Sequence, residues 1–280
     1  MNISETDWAD VWIEKMKSHI NQENIPGCPE MWYSYDSALR FWNMAHENGG
    51  ERINNTLKGL PLEPSYSVLD VGAGPGALAI PIASKVNRLT AVEPAPGMCE
   101  VFREKILESG TDNIELVQKR WEDLDVMTEL SGPYDLVFAS FSLEVPDIKK
   151  AIEKMNMASS KWVYLYWFAG KNSWEEASKD LWPVLHGIEY CPVPKCDVIY
   201  NILYGMGIYP NIATYEFRHI NRFSSLDEAV INFSPQYGVK TPEQKEILKN
   251  YLAERVKDCG DTITITGAST RVKMWWEVGK

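Results

Sequence analysis

The stretch Val68-Leu69-Asp70-Val71-Gly72-Ala73-Gly74-Pro75-Gly76-Ala77 decides the fold. An apolar run ends in closely spaced glycines, and a helix-like segment, Gly76–Lys85, follows it. A first strand that turns into a first helix places its turn in the crevice where open α/β sheets hold nucleotide-like ligands. Glycines there let the backbone approach the ligand and leave N–H groups free at the helix start. Pro81 lies inside the expected helix and predicts a late start or a kink.

Outward from this loop, strands and helices alternate from Pro64 onward. Arg88–Val92 reads as the next strand, and Pro96 opens a helix that carries Met98, Val101, Phe102 and Ile106 on one face and stops at Gly110. Ile114–Gln118, Asp135–Ser140 and Trp162–Phe168 supply further strands, with a helix over Asp147–Met157 between the last two. This spacing predicts right-handed crossovers and a mostly parallel sheet with helices on both faces. Beyond Gly170 the alternation breaks. Trp174–Leu185 and Val198–Met206 read as helices on either side of Cys191-Pro192-Val193-Pro194, and Ile212–Ile220 reads as a strand. Ser225–Phe233 and Pro242–Lys257 are amphipathic, the second opened by a capping signal in Thr241, Pro242 and Gln244. Asp261–Thr266 and Arg271–Val278 close the chain as strands.

Residues before Pro64 carry no strand-like run. Trp8, Val11, Trp12 and Met16 fall at helical spacing, and a second periodic run extends from Met31 to Met44. The expected organisation is a helical cap over 1–62 and an α/β domain over 63–280. Helical insertions at about 171–211 and 222–260 would join the cap as a lid.

Composition narrows the function. The 280 residues suffice for a full-sized core, and the net charge of −11 argues against the basic stripe that nucleic acid requires. It leaves the charge of a small substrate open. Five cysteines, Cys28, Cys99, Cys191, Cys196 and Cys259, are too few and too scattered for a disulfide framework. Met1–Ile20 lacks the basic start and apolar run of a secretory signal, and no stretch approaches the ~18 apolar residues of a membrane span. The expectation is a cytoplasmic protein with neither a membrane nor a nucleic-acid partner. The oligomeric state is open. The 11 tryptophans and 13 tyrosines cluster mostly outside the glycine-loop segment, so they must pack the lid or line its concave side.

Two ligands suit the loop. Gly72-Ala73-Gly74-Pro75-Gly76-Ala77 satisfies the nicotinamide-dinucleotide pattern with alanine in its third slot, and it suits S-adenosylmethionine (SAM) equally. Asp70 discriminates. A dinucleotide strand ends in apolar residues, whereas an acid two places before Gly72 is costly to bury unless it bonds a cationic ligand or nearby N–H groups. Val68–Gly76 also resembles motif I of the class I SAM-dependent methyltransferases. Ala91-Val92-Glu93-Pro94 is similar to that family's second-strand end, and Trp121-Glu122-Asp123 to the stretch that frames the adenine. Tyr134–Ser140 resembles its fourth strand and Val272–Val278 its antiparallel seventh.

The resemblance implies a seven-stranded Rossmann-like sheet and SAM as methyl donor, with S-adenosylhomocysteine as product. It places Gly72, Ala73, Gly74 and Gly76 beside the methionine portion and Glu93 on the ribose hydroxyls, which a carboxylate can accept in pairs. Trp121 and Glu122 would frame the adenine, and Asp70, Pro94, Met98 and Ser140 would complete the cofactor site. Two departures stand out. Arg120 occupies a slot that is often Asp, and Leu143-Glu144-Val145 replaces the histidine pair of many small-molecule members.

Glu144, just past the fourth strand, is therefore the candidate catalytic residue, to accept a proton or orient a cationic substrate. Its plainer role is an acid favouring the start of the helix at Asp147. Cys191 and Cys196, with His186 nearby, lack a second ligand pair, so a proline-stiffened loop is expected and no metal. His19, His46 and His219 show no partner pattern and read as surface or core. Trp32, Tyr33, Tyr35 and Trp42, like Tyr200, Tyr204 and Tyr209, either wall a pocket or form the apolar face of a lid helix. The Asn/Asp-Pro-Pro-aromatic motif used on nucleobase and amide nitrogens is absent from Ser140-Phe141-Ser142-Leu143. In-line methyl transfer to a small molecule is the expected reaction. A SAM sensor without turnover, a protein methyltransferase and a nicotinamide-dependent oxidoreductase are the rivals.

Overall fold

In the structure, a computed structural model that describes residues 6–21 and 33–279, one sheet organises the chain. Strands β1 (Ser67–Val71), β2 (Arg88–Val92), β3 (Ile114–Val117), β4 (Tyr134–Ser140) and β5 (Ser159–Asn172) pair in parallel in the order β3-β2-β1-β4-β5. Three more follow: β6 (Asn211–Phe223), β7 (Lys257–Asp258) and β8 (Ile263–Glu277). The last of these inserts antiparallel between β5 and β6, and the two-residue β7 pairs beside it. The sheet thus has eight strands where the family resemblance implies seven. The extra one, Lys257-Asp258, is too short to carry an alternating pattern.

The two segments Asp261–Thr266 and Arg271–Val278 are one continuous strand. Between them Gly267 pairs with His219 and keeps the ladder intact. The helix expected over Gly76–Lys85 is confined to α3 (Ala79–Ala83), where Pro81 falls in the first turn and needs no N–H partner. Two long helices precede the sheet, α1 (Trp8–Ile20) and α2 (Tyr35–Lys58), and the described residues before β1 contain no strand. Helix α4 (Pro96–Ser109) follows β2, and α5 (Ile148–Ala158) follows β4. Beyond β5 come α6 (Ser173–His186), α7 (Cys196–Gly205), α8 (Leu226–Phe233) and α9 (Pro242–Ala253), the last with the expected capping box. Cys28 and Trp32 lie outside the described residues.

Alternate residues of β4 feed two cores. Leu136 and Phe138 join Ile82, Leu89 and Phe102 on one face, and Val137 joins Ile148, Ile152 and Met155 on the other. A third cluster, built from Trp182, Phe223, Val230, Tyr237, Leu248 and Leu252, holds α6, α8 and α9 together at the far end of β6. No helix among the described residues is long and apolar enough to cross a membrane.

The geometry that matters lies above the carboxyl edge of the parallel strands. β4 stops at Ser140, whose partner on β5 is Tyr166. β5, β8 and β6 continue, so that Phe168, Arg271 and Tyr215 stand side by side in register past that edge. They form a wall on one side of the crevice. Helix α2 lies across the glycine loop. Its far end is tied to the sheet where the Lys273 ammonium donates to the Gly59 carbonyl at 3.2 Å.

Candidate active site

The turn after β1 is shaped by glycine. Gly72, Gly74 and Gly76 take φ of 73°, 58° and 84°. A Cβ on Gly72 would sit 2.3 Å from Ser142 Cβ, and one on Gly76 would sit 2.3 Å from the Phe102 ring. Only glycine permits both the left-handed backbone and these close approaches. The Gly72 and Ala73 N–H groups donate to the Val92 carbonyl, which ties the loop to the end of β2.

Glu93 follows directly. It is 7% exposed, and its two carboxylate oxygens accept from Gly74 N–H and Ala95 N–H, each at 2.8 Å. Burial pushes its pKa up, and the two N–H donors oppose that shift. The acid is thereby fixed at the loop, where each oxygen keeps lone pairs for a further donor. Asp70 is 2% exposed, and its Oδ2 has no hydrogen-bond partner among the described residues. Burial first, and the Glu93 charge second, hold its pKa well above the usual carboxylate range. The Ser140 hydroxyl, at the end of the adjoining β4, is likewise buried without a partner. Two orphaned polar atoms beside a glycine cradle mark a place that wants a polar ligand.

The remaining cofactor candidates divide. Met98 packs with Ala38, Ala95 and Val101, where α2 crosses α4. Pro94 lies between Glu93 and Ala95 at the entry to α4. The indole of Trp121 is committed to the core, donating to the Ala151 carbonyl at 3.2 Å. Glu122 is paired with Arg120 at 3.2 Å.

After β4, Phe141 adopts φ of 57°, a left-handed conformation that costs a non-glycine residue about 1–2 kcal/mol. It is held by its N–H bond to the Tyr166 carbonyl at 3.0 Å and by stacking on Phe168 at 4.9 Å. The neighbouring Ser142 hydroxyl donates to the Val71 carbonyl. This constrained turn therefore faces the glycine loop across the crevice.

Glu144 meets a residue that sequence patterns did not pair with it. Buried His19 of α1 places Nε2 3.6 Å from the Glu144 carboxylate, while its Nδ1 lies 2.7 Å from the Cys191 carbonyl. A carbonyl only accepts, so Nδ1 carries a proton. Nε2 is the ring nitrogen that faces the Glu144 carboxylate. Burial raises the Glu144 pKa, and the histidine opposes the shift. The helix start that Glu144 was expected to serve is capped instead by Asp147, which accepts from Lys150 N–H. Trp12 of the same α1 donates to the Val145 carbonyl at 2.8 Å, so this segment lies beneath α1.

Several aromatic candidates fall outside the crevice. Tyr200, Tyr204 and Tyr209 stack on one another at the surface. The Tyr35 hydroxyl donates to Glu104, and Trp42 stacks on His46. His186 bonds the Tyr237 carbonyl and packs on Trp182. No group of three or more His, Cys, Asp or Glu among the described residues is arranged to hold a metal ion.

Comparison with known proteins agrees with this geometry. Residues 68–159, β1 to the start of β5, match a family model described as a methyltransferase domain. A Haemophilus influenzae protein of unassigned function is 24% identical over 226 residues, spanning 80% of this chain and 81% of its own. A sterol 4-C-methyltransferase of Caenorhabditis elegans is 28% identical over 160 residues, 52% of this chain and 47% of that protein. Among solved structures, the plantazolicin methyltransferase BamL, in complex with a triazolic desmethylPZN analogue and S-adenosylhomocysteine, superposes with a TM-score of 0.55. It is 12% identical, and the match covers 98% of this chain and all of that one. The likeness is one of fold.

Proposed function

We propose that this chain, a SAM-dependent methyltransferase with the class I fold, passes its methyl group in-line to a nucleophile on a small molecule. The observation that carries the reading is the pairing of a glycine cradle and fixed Glu93 with a constrained, aromatic-walled turn at Phe141. That enclosure suits an acceptor small enough to be surrounded. The sterol-methyltransferase relative acts on a small molecule and supports the same direction.

On this reading Gly72, Ala73, Gly74 and Gly76 hold the methionine portion of SAM, and Glu93 the ribose hydroxyls. Asp70 and Ser140 supply the polar contacts they now lack. Pro94, Met98, Glu122 and the Trp121 backbone border the adenine. When bound, SAM supplies an activated methyl on a sulfonium, so the protein's share is alignment, exclusion of water and removal of a proton where the nucleophile needs it. Glu144, whose carboxylate lies 3.6 Å from His19 Nε2, is the acceptor for that proton. We assign residues 1–62 as a cap and the helices inserted at about 171–211 and 222–260 as its counterpart around the acceptor.

The test uses methyl-labelled SAM and a cell extract separated into small-molecule, protein and nucleic-acid fractions. Label is expected in the small-molecule fraction. Label confined to protein or RNA would overturn the reading.

A further inference from the structure

The acceptor wall contains two arginines that form no salt bridge among the described residues. Arg271 on β8 is 7% exposed, and its Nε donates to the Ser269 hydroxyl at 3.0 Å. Its guanidinium stacks between two rings, 3.8 Å from the Phe217 centroid and 4.7 Å from that of Phe141. Arg52 of α2 reaches the same Phe141 ring, 5.7 Å away, and lies 5.4 Å from Phe41. The Tyr215 hydroxyl lies against Arg271. Burial lowers the pKa of both guanidinium groups, that of Arg271 to about 10, with Arg52 as the next cause. No carboxylate of the described residues is among the groups acting on either.

The contrast with a neighbouring cation is instructive. Lys195, over the Phe168 ring, is half-buried, and it forms an ion pair with buried Glu175. Lys273 has the Gly59 carbonyl. Two like charges placed together inside a protein repel unless an opposite charge joins them, and ring stacking returns only part of that cost. The forks of Arg52 and Arg271 converge at Phe141, next to Ser140 and the glycine loop, and guanidinium forks match the paired oxygens of carboxylate and phosphate.

We infer that Arg52, Arg271 and Tyr215 form the anchor for an acidic substrate, whose carboxylate or phosphate they bind so that its nucleophile is directed toward the glycine loop. This deepens the methyltransferase reading and rests on it for the identity of the ligand as the methyl acceptor. The anion itself is expected to bind whether or not the cofactor does. Nucleophile and anchor are then separate groups of one molecule, and the aromatic walls hold the body between them.

The test is calorimetric titration with benzoate and, separately, with inorganic phosphate. Each is run on the full chain with and without S-adenosylhomocysteine, for wild type, Arg271→Gln, Arg52→Gln and Arg271→Lys. Saturable binding of one probe is expected, and which probe binds separates a carboxylate from a phosphate substrate. Either glutamine variant should weaken that binding at least about tenfold, while Arg271→Lys, which keeps the charge and loses the fork, falls between. S-adenosylhomocysteine should bind all four within about twofold of one another. Failure of both probes on wild type, or equal binding by folded glutamine variants, would overturn the anchor. Should Arg271→Gln not fold, Arg52→Gln, on a helix rather than a central strand, decides the matter. Failure of S-adenosylhomocysteine on every form, with probe binding intact, would instead sink the cofactor reading.

Discussion

Replacing Glu93 by glutamine tests the site with a change of almost no volume. The carboxylate accepts Gly74 N–H on one oxygen and Ala95 N–H on the other, both at 2.8 Å. An amide has one acceptor oxygen and an NH2 group, so in either orientation one backbone N–H faces another donor. A buried donor left unpaired costs about 1–3 kcal/mol. Part of that loss is offset, because burial disfavours the Glu93 charge and the variant removes it. Stability should therefore fall by roughly 1–2 kcal/mol, seen as a lower Tm. The effect on the cofactor is separable. Ribose hydroxyls that donate to a charged acceptor lose about 1.5–3 kcal/mol when it becomes neutral, which is on the order of 10- to 150-fold in Kd. Calorimetric titration with SAM measures the second effect and thermal unfolding the first. A folded Glu93→Gln that binds SAM within about twofold of wild type would refute the ribose assignment. An unchanged Tm would refute the account of the loop.

Other perturbations follow from the same geometry. Asp70→Asn should stabilise the fold. A carboxyl whose pKa is raised on folding costs nothing below its unfolded value of 3.8 and lowers stability increasingly as pH rises through the folded value, so the variant's gain in Tm should vanish near pH 3.8 and grow toward neutrality. A gain independent of pH would count against burial as the cause. Gly72→Ala combines a left-handed φ with a Cβ contact of 2.3 Å and should cost about 2–5 kcal/mol. Adding Ser142→Gly should return the contact part and leave the backbone part, and a double-mutant cycle of unfolding free energies reads the difference. Glu144→Gln should lower stability by about 1–2 kcal/mol through its contact with His19 while leaving SAM affinity unchanged. A kcat reduced by about 100-fold or more would assign Glu144 the proton transfer, and an unaltered kcat would confine it to the packing of α1.

The glycine cradle and Glu93, which we propose as the donor half, were legible as local geometry. Gly72, Gly74, Gly76 and Glu93 fall on one strand–turn–helix unit and the strand beside it, so their spacing along the chain records their spacing in the molecule. The mostly parallel sheet followed from the alternation of strands and helices. Pro81 announced the late start of α3. The acceptor half was not legible, for the opposite reason. Arg52, Phe141, Tyr215 and Arg271 come from four elements, and a single arginine on a helix or strand carries no signature until the elements meet. His19 and Glu144 likewise face each other only because α1 packs over the segment after β4. The two terminal strands read from the sequence are one, because β6 pairs with β8 straight through residues 267–270.

The position of β8 bears on how the protein is made. The strand that divides β5 from β6 follows every other strand in the chain, so its pairings close some of the longest loops in the molecule. Through the synthesis of the glycine loop, the helices and even β6, the place of residues 263–277 stays unfilled. The edge of β5 then offers open N–H and C=O groups to any passing strand. A nascent chain lacking those residues can shape the loop at Gly72–Gly76, but it has neither Arg271 nor a register partner for Tyr215. Competence toward the acceptor therefore arrives after competence toward the donor, and a ribosome stalled short of β8 should leave a product prone to aggregate.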